Sequence, residues 1–420
     1  MPKLNVQLAI ISAVVGLGFL GIALPYPVIP SLLLPSKNTL NTFLFSSWPK
    51  PILLGLVLSC YPLGQFIGSP VLGAASDQLG RKIMLVYSLA GTASGYLLSA
   101  IAILCHSFEW LLLGRLWTGF CEGNIAIAQS AAADIYETVE KVKSFSWLNG
   151  AVALGYIVGP LLGGITVNQK NPSQFNYAAP FLVAMSLAIL SLAFVKCFFH
   201  DSYQAVSKHK KLGVAGQIIS GFPQMISNIG YLFQNGLLKK VIIVYILLYL
   251  GIDLFYEFYP FYFVGSWDFS VMEVALFSAA YTLPYAISQA ILVPTLGKHF
   301  NPLDTLKLTS SMSGLALIIM LIPKSYHALY ATLPVLGIFI SFCSTNIAVA
   351  LSDSTDSYSQ GKVFGAAQSL RVLNDAITSF AGGILASLVV SMPLVVSSFF
   401  MILSALLLCK FNGVSRNKSQ

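Results

Sequence analysis

Charge is scarce in this chain. Of its 420 residues only 9% are Asp, Glu, Lys or Arg, against 56% hydrophobic residues, and the mean hydropathy is +0.78. That leaves far too little polar surface to be coated by water, which excludes a soluble globular protein. Paired cysteines are missing as well. The six cysteines, at 60, 105, 121, 197, 343 and 409, form no CxxC and no paired pattern, so neither a disulfide framework nor a metal site is indicated. The five histidines, at 106, 200, 209, 299 and 327, are scattered in or near loops without metal-ligand spacing. No GxxxxGK[ST] phosphate loop occurs, so neither ATP machinery nor another cofactor is expected. The alternating segments of a membrane β-barrel are absent too.

What the chain has instead is long apolar runs. A spanning helix needs about 20 mainly apolar residues, and the stretches between charged residues supply twelve candidates, over approximately 7–34, 51–75, 83–104, 110–133, 144–168, 178–197, 241–264, 272–296, 306–323, 328–351, 363–389 and 391–409. The expected class is an all-α integral membrane protein with twelve transmembrane helices. With the N-terminus placed in the cytoplasm, the inner segments hold seventeen Lys and Arg, among them Arg81, Lys82, Lys208, Lys239, Lys298 and Lys362. The outer loops hold four, Lys37, Lys50, Lys170 and Lys324. This asymmetry puts both termini inside and accounts for the net charge of +8 without nucleic acid. The first run is too long for a signal-peptide core and lacks a cleavage site after it, so it is expected to remain as a membrane helix.

After the sixth run, HDSYQAVSKHKK opens a polar, basic segment that continues to Lys239 and Lys240. The expected division is an N-terminal six-helix bundle over 1–199, a cytoplasmic linker over 200–239, and a C-terminal six-helix bundle with a short tail over 240–420. In the linker, Ile218, Ile219, Phe222, Met225, Ile226, Ile229 and Leu232 recur at roughly helical spacing. Part of it therefore reads as an amphipathic helix on the inner membrane face, although Gly221 and Pro223 weigh against this. An internal repeat links the halves. GIALPYPVIP, Gly21 to Pro30, aligns with GIDLFYEFYP, Gly251 to Pro260, and Gly163–Gly164 has a counterpart in Gly382–Gly383. Asp253 and Glu257 answer to Ala23 and Pro27, so those acids belong to one half only.

Three motifs carry a resemblance. GAASDQLGRK, Gly73 to Lys82, lies between the second and third runs: Gly80 permits a tight turn, and Arg81 and Lys82 anchor it at the inner surface. GRLWTGFCEGN, Gly114 to Asn124, puts Arg115 and Glu122 within the fourth run. GYIVGPLLGG, Gly155 to Gly164, repeats small residues at Gly155, Gly159 and Gly163, and its Pro160 can bend the helix. The first resembles the signature loop of the major facilitator superfamily, the second its intramembrane arginine motif, and the third the helix-five motif of its drug:proton antiporter branch, which includes tetracycline-resistance exporters. The resemblance covers nearly the whole chain. It implies two pseudo-symmetric six-helix bundles and a gate-side charge network of Asp77, Arg81 and Asp134, with Arg115 as a gate or relay residue. Gly155, Gly159 and Pro160 serve either an antiporter-type gate or plain packing. Two departures stand out: the first helix has no acidic residue, and LGKHFNP, after the eighth, keeps little of the signature, with Lys298 about where Asp77 stands in the first half.

Six charges fall inside spanning runs: Arg115, Glu122, Asp253, Glu257, Arg371 and Asp375. Each costs about 2.5 to 3.5 kcal/mol at a helix centre on insertion scales, so each should face a cavity or a partner. Asp253 and Glu257, four apart, share a helix face and would titrate as a unit in a poorly hydrated cavity. They are candidate proton-coupling residues, the alternative being bonds from tyrosine hydroxyls or pairing with a lysine. Glu122 is a third proton or substrate candidate, its alternative a satisfied core contact. Arg371 and Asp375 either neutralise each other or dock an anionic substrate. Tyr256 and Tyr259, with Tyr281 and Tyr285 on the eighth helix, form an aromatic wall suited to an amphipathic or cationic guest, whereas Phe261 and Tyr262 suit an interfacial belt. Asn124 and Gln289 offer neutral bonds to a substrate.

These readings converge on a secondary transporter working by alternating access, a proton-coupled exporter of a small amphipathic molecule. A symporter or uniporter importing an amino acid, nucleoside or siderophore is the alternative, and a membrane enzyme a remote one. Its expected partners are the substrate, protons and the lipid bilayer, with no nucleic acid. The expected form is a monomer in a bacterial inner membrane.

Overall fold

In a computed structural model the residues described are 2–33, 40, 44–135, 141–167, 174–200, 214–234, 236–297, 299–322, 325–356 and 359–410. Among them the chain is helical throughout. The elements are α1 (Pro2–Ala23), α2 (Val28–Leu33), α3 (Lys50–Leu79), α4 (Arg81–Leu104), α5 (Phe108–Cys121), α6 (Asn124–Ile135), α7 (Lys141–Thr166), α8 (Gln174–Phe198), α9 (Val214–Leu232), α10 (Gly236–Trp267), α11 (Val271–Ile287), a π-helical turn (Ser288–Leu292), α12 (Val293–Leu296), α13 (Pro302–Leu321), α14 (Leu329–Asp353), α15 (Gln360–Leu388) and α16 (Met392–Cys409). Lys37, Lys170, Lys208, Lys298 and Lys324, counted above for orientation, lie outside the described residues.

Nine of the described segments are long and apolar enough to cross a membrane. The other three expected runs fall on α5–α6, α7 and α15, and local chemistry explains why they differ. At Glu122 the fourth run tightens from i→i+4 to i→i+3 bonding, with Ile125 N–H donating to the Glu122 carbonyl at 3.1 Å and Ala126 N–H to Gly123 at 3.2 Å. α15 carries Lys362, Arg371 and Asp375. The apolar stretch of α7 is Gly150–Thr166. The first run is interrupted at Leu24–Pro27, where two prolines remove backbone donors.

The chain forms two compact units, one of residues Met1–Met225 with Ser270–Ala275, the other of Ile226–Phe269 with Leu276–Gln420. In the first, α7 lies against α1 along its glycine face. A Cβ at Gly155 would stand 2.8 Å from the Leu20 nitrogen, one at Gly159 2.6 Å from the Ala23 Cβ, and one at Gly163 would overlap the Leu24 carbonyl. In the second unit the matched seam joins α15 to α10, where a Cβ at Gly382 would overlap the Phe258 ring. Both repeats thus close their fifth helix onto their first through a glycine, because without lipid-excluding hydrophobic force only short interaxial distance maximises dispersion contact. α5 docks on α3 in the same way, Gly119 against the Tyr61 carbonyl and Gly64 against that of Leu116.

Candidate functional site

Among the described residues, each unit carries a cluster of charged and polar side chains in its spanning helices. In the second unit α10 presents Asp253 and Glu257, 7% and 4% exposed. Arg371 of α15 lies over the Tyr249 ring, its guanidinium carbon 4.5 Å from the centroid. Asp253 is within electrostatic reach of Asp375 and Arg371 and lies beside Asn374. Asp253 Oδ2 and Asn374 Nδ2 are buried and close no well-formed hydrogen bond. Asp375 of the facing helix is thus within electrostatic reach of Asp253, and Glu257, one turn further on, lies within reach of Tyr259.

The aromatic wall packs as a cluster. Tyr281 meets Phe255 at 5.3 Å, Tyr259 at 6.4 Å and Tyr285 at 6.2 Å between centroids, and half-buried Tyr256 meets Tyr259 edge-on at 6.1 Å. The Tyr259 hydroxyl donates to Ser278 Oγ at 2.7 Å. Phe261 and Tyr262, expected in an interfacial belt, are buried instead, Phe261 against Phe258 and Tyr262 against Trp267. Gln289 is exposed within the π-helical turn and donates through Nε2 to Thr345 Oγ1 at 2.9 Å, and next to it Ser288 accepts from Ser341 at 2.5 Å. The side chain of Gln289 is thus occupied by a bond between helices.

In the first unit Arg115 and Glu122 are each 2% exposed. The Arg115 guanidinium stands 4.8 Å over the Tyr61 ring, and Glu122 is within electrostatic reach of Arg115, Tyr61 and Tyr96. Arg115 Nε and Nη1, Glu122 Oε2, Asn124 Nδ2 and the hydroxyls of Tyr61 and Tyr96 are buried without hydrogen-bond partners. α1 makes room for them: a Cβ at Gly18 would lie 3.8 Å from Glu122 Oε2 and one at Gly21 3.3 Å from the Tyr96 hydroxyl. Orphaned buried polar atoms are costly in protein interiors, and a cluster of them makes this a candidate functional site. Tyr61, Tyr96 and Tyr249 escaped the sequence reading because an uncharged tyrosine in an apolar run has no local signature. Tyr249 alone gave a hint, one helical turn before Asp253.

At the loop between α3 and α4, Arg81 Nη1 meets Asp77 Oδ1 at 2.6 Å and donates to Ser76 Oγ at 2.6 Å. Arg81 is buried and Asp77 exposed. Gly80 has φ 96° and ψ 146°, a conformation open essentially to glycine alone. Asp134 lies on α6, but its side chain is outside the described residues. Gly155 and Gly159 are packing contacts to α1, and Pro160 sits inside α7 between Gly159 and Gly163.

Residues 8–379 match the sequence profile of the Major Facilitator Superfamily. The chain belongs to that superfamily. Among curated proteins it is 34% identical to the class B tetracycline resistance protein of Escherichia coli over 187 residues, 44% of this chain and 41% of that protein. It is 29% identical to the class E protein of Escherichia coli over 69% of this chain and 65% of that one. To the quinolone resistance protein NorA of Staphylococcus aureus it is 24% identical, over 78% and 76%. The match to the class B protein thus spans less than half of that relative's length. The crystal structure of the human organic anion transporter MFSD10 (TETRAN) shares the fold, with a TM-score of 0.71 over 97% of this chain and 100% of that one at 21% identity. This superfamily member is a multi-pass membrane protein, and within the family it resembles the tetracycline resistance proteins.

Proposed function

We propose that this superfamily member exports a small amphipathic molecule by alternating access, driven by protons that move inward. The observation that carries the reading is the buried carboxylate of Asp253, held on a spanning helix with one oxygen lacking a hydrogen-bond partner and an aromatic cluster on the same helix. An acid at that depth is costly unless its charge state changes in use, and proton binding supplies such a change. Phe255, Tyr259 and Tyr281 supply apolar surface for the guest. Support comes also from relatives named for resistance to tetracycline and to quinolones. The same proposal places both termini in the cytoplasm, takes the chain as a monomer of an inner membrane, and assigns it protons and a small molecule as partners, with no bound cofactor and no chemical conversion of the guest.

The test is transport by the purified full chain in lipid vesicles. With the lumen corresponding to the outer face made acidic, a fluorescent amphipathic probe should accumulate in the lumen against its gradient. Accumulation on the opposite side, in the direction of proton flow, overturns the export reading in favour of import with protons. The absence of α1 carboxylates is what keeps that second reading in view.

A further inference from the structure

The seam between α10 and α15 carries more than the buried Asp253. Two close approaches define how these helices run: Arg371 over Tyr249, and Gly382 against Phe258. Both partners advance along the sequence together, so the helices are parallel and in register. One turn beyond Tyr249 stands Asp253, and one turn beyond Arg371 stands Asp375, which places the two carboxylates opposite each other. In the first unit the matched seam, α1 against α7, is shut by Gly155 and Gly159 on Leu20 and Ala23. In the register of the repeats, Asp253 answers to Ala23 and Asn374 to Gly155. One half therefore seals this seam with small apolar residues, and the other fills it with two acids, an amide and an arginine.

Charge counting then becomes decisive. Arg371 can compensate one carboxylate; the second leaves a net negative charge between spanning helices, which is relieved by a proton. Among the described residues, the other titratable groups within electrostatic reach of Asp253 are Tyr245 and Tyr249 on its own helix and Tyr281 on α11, with Glu257 one turn along α10. α16 presents Ser397, whose hydroxyl donates to the Gly251 carbonyl, and Met401. None of these is basic, and Glu257 adds negative charge.

We propose that Asp253 and Asp375 share one proton across the α10/α15 seam, with Arg371 as the counter-charge for the remaining negative charge. Asp375 is then the second half of the proton-coupling site, a role that neither substrate docking nor the Asp253/Glu257 pairing assigns to it. Loss of the proton leaves two anions facing each other beside one cation, and the repulsion favours parting of α10 from α15. The inference rests on the proton-coupled reading above and deepens it.

Infrared difference spectroscopy on the full chain in lipid nanodiscs reads the proton directly, through the carbonyl stretch of a protonated carboxyl group. The wild type should show such a band at neutral pH that disappears as the medium is made alkaline. In a Glu122→Gln background, which removes the other buried acid, Asp253→Asn and Asp375→Asn should each remove it, because the acid that remains pairs with Arg371, whereas Glu257→Gln should keep it. Should the asparagine variants fail to fold, Asp375→Glu keeps the chemistry and must shift the band's frequency. A band untouched by Asp375→Asn or Asp375→Glu, or lost in Glu257→Gln, overturns the shared proton. Gradient-driven transport measured on the same samples separates the two ideas. The band pattern without uphill transport sinks the exporter reading and leaves the shared proton standing; uphill transport with the wrong band pattern does the reverse. Asp375→Asn should lower uphill accumulation at least tenfold while equilibration down a gradient continues.

Discussion

A charge in a spanning helix is tolerable only with a partner, and buried Arg115 and half-buried Arg371 meet that demand in the same way. Arg115 lies over Tyr61 and Arg371 over Tyr249, each within electrostatic reach of an acid, Glu122 and Asp253 respectively. The aromatic partners give cation–π attraction over the flat face of each guanidinium, which leaves its in-plane N–H groups directed elsewhere. Replacing Arg371 by Gln should therefore abolish uphill transport, with the purified protein still folded by circular dichroism; unchanged coupling would detach the arginine from the proton site. Arg81 and Asp77 behave differently, since Asp77 is exposed to solvent. An ion pair with a solvent-exposed carboxylate contributes about 0–1 kcal/mol, so Asp77→Asn should hardly move the melting temperature, and a large loss of transport without unfolding would support the proposed gate role. Gly80 is the costly position of that loop: Gly80→Ala must hold a conformation that disfavours a Cβ by about 1–3 kcal/mol, and a drop in thermal stability checks this.

At the scale of elements, the interruptions matter more than the helices. α1 breaks at Pro25 and Pro27, the fourth run tightens at Glu122, and a π-helical turn at Ser288–Leu292 puts Gln289 in reach of Thr345. Such departures from regular bonding in a membrane occur where side chains or neighbouring helices satisfy the freed groups, and they often coincide with function. The glycine faces have the opposite character, because they lock neighbours together. Gly159→Leu would drive a branched side chain into Ala23 and the Leu20 carbonyl. Overpacking of that kind costs about 1–3 kcal/mol, and the expected result is lower thermal stability together with reduced transport. Gly361, with nothing within 4 Å of an added Cβ, makes the control: Gly361→Ala should leave stability and transport unchanged. The motif reading left the role of Gly155 and Gly159 open between gate and packing; their contacts to α1 supply the packing half.

For the whole molecule, orientation follows from where lysine and arginine fall relative to the apolar runs. Basic residues are retained on the cytoplasmic side during insertion, so a cysteine placed at either terminus should react with a membrane-impermeant reagent only in inverted vesicles or opened cells. Labelling from the outside of intact cells would reverse the proposed direction of transport. The sequence pointed to two halves through the weak repeat around Gly21 and Gly251 and through the paired glycines, whereas the two compact units meet between Met225 and Ile226, with Ser270–Ala275 joining the first. The candidate site was legible only in part. Asp253, Glu257, Glu122 and Arg115 declared themselves by being charged where charge is expensive.

Composition and periodicity dictated that this chain crosses a membrane many times, and local spacing dictated which side chains share a helix face, because both depend on residues near one another in sequence. Which face meets which did not follow. Spacing put Glu257 on the helix face of Asp253, but it could not reveal that Asp375, more than a hundred positions away, comes within electrostatic reach of the same group, which the register of α10 on α15 decides. Register depends on how glycines and rings from distant segments fit at van der Waals distance, and no run of residues read alone contains that information.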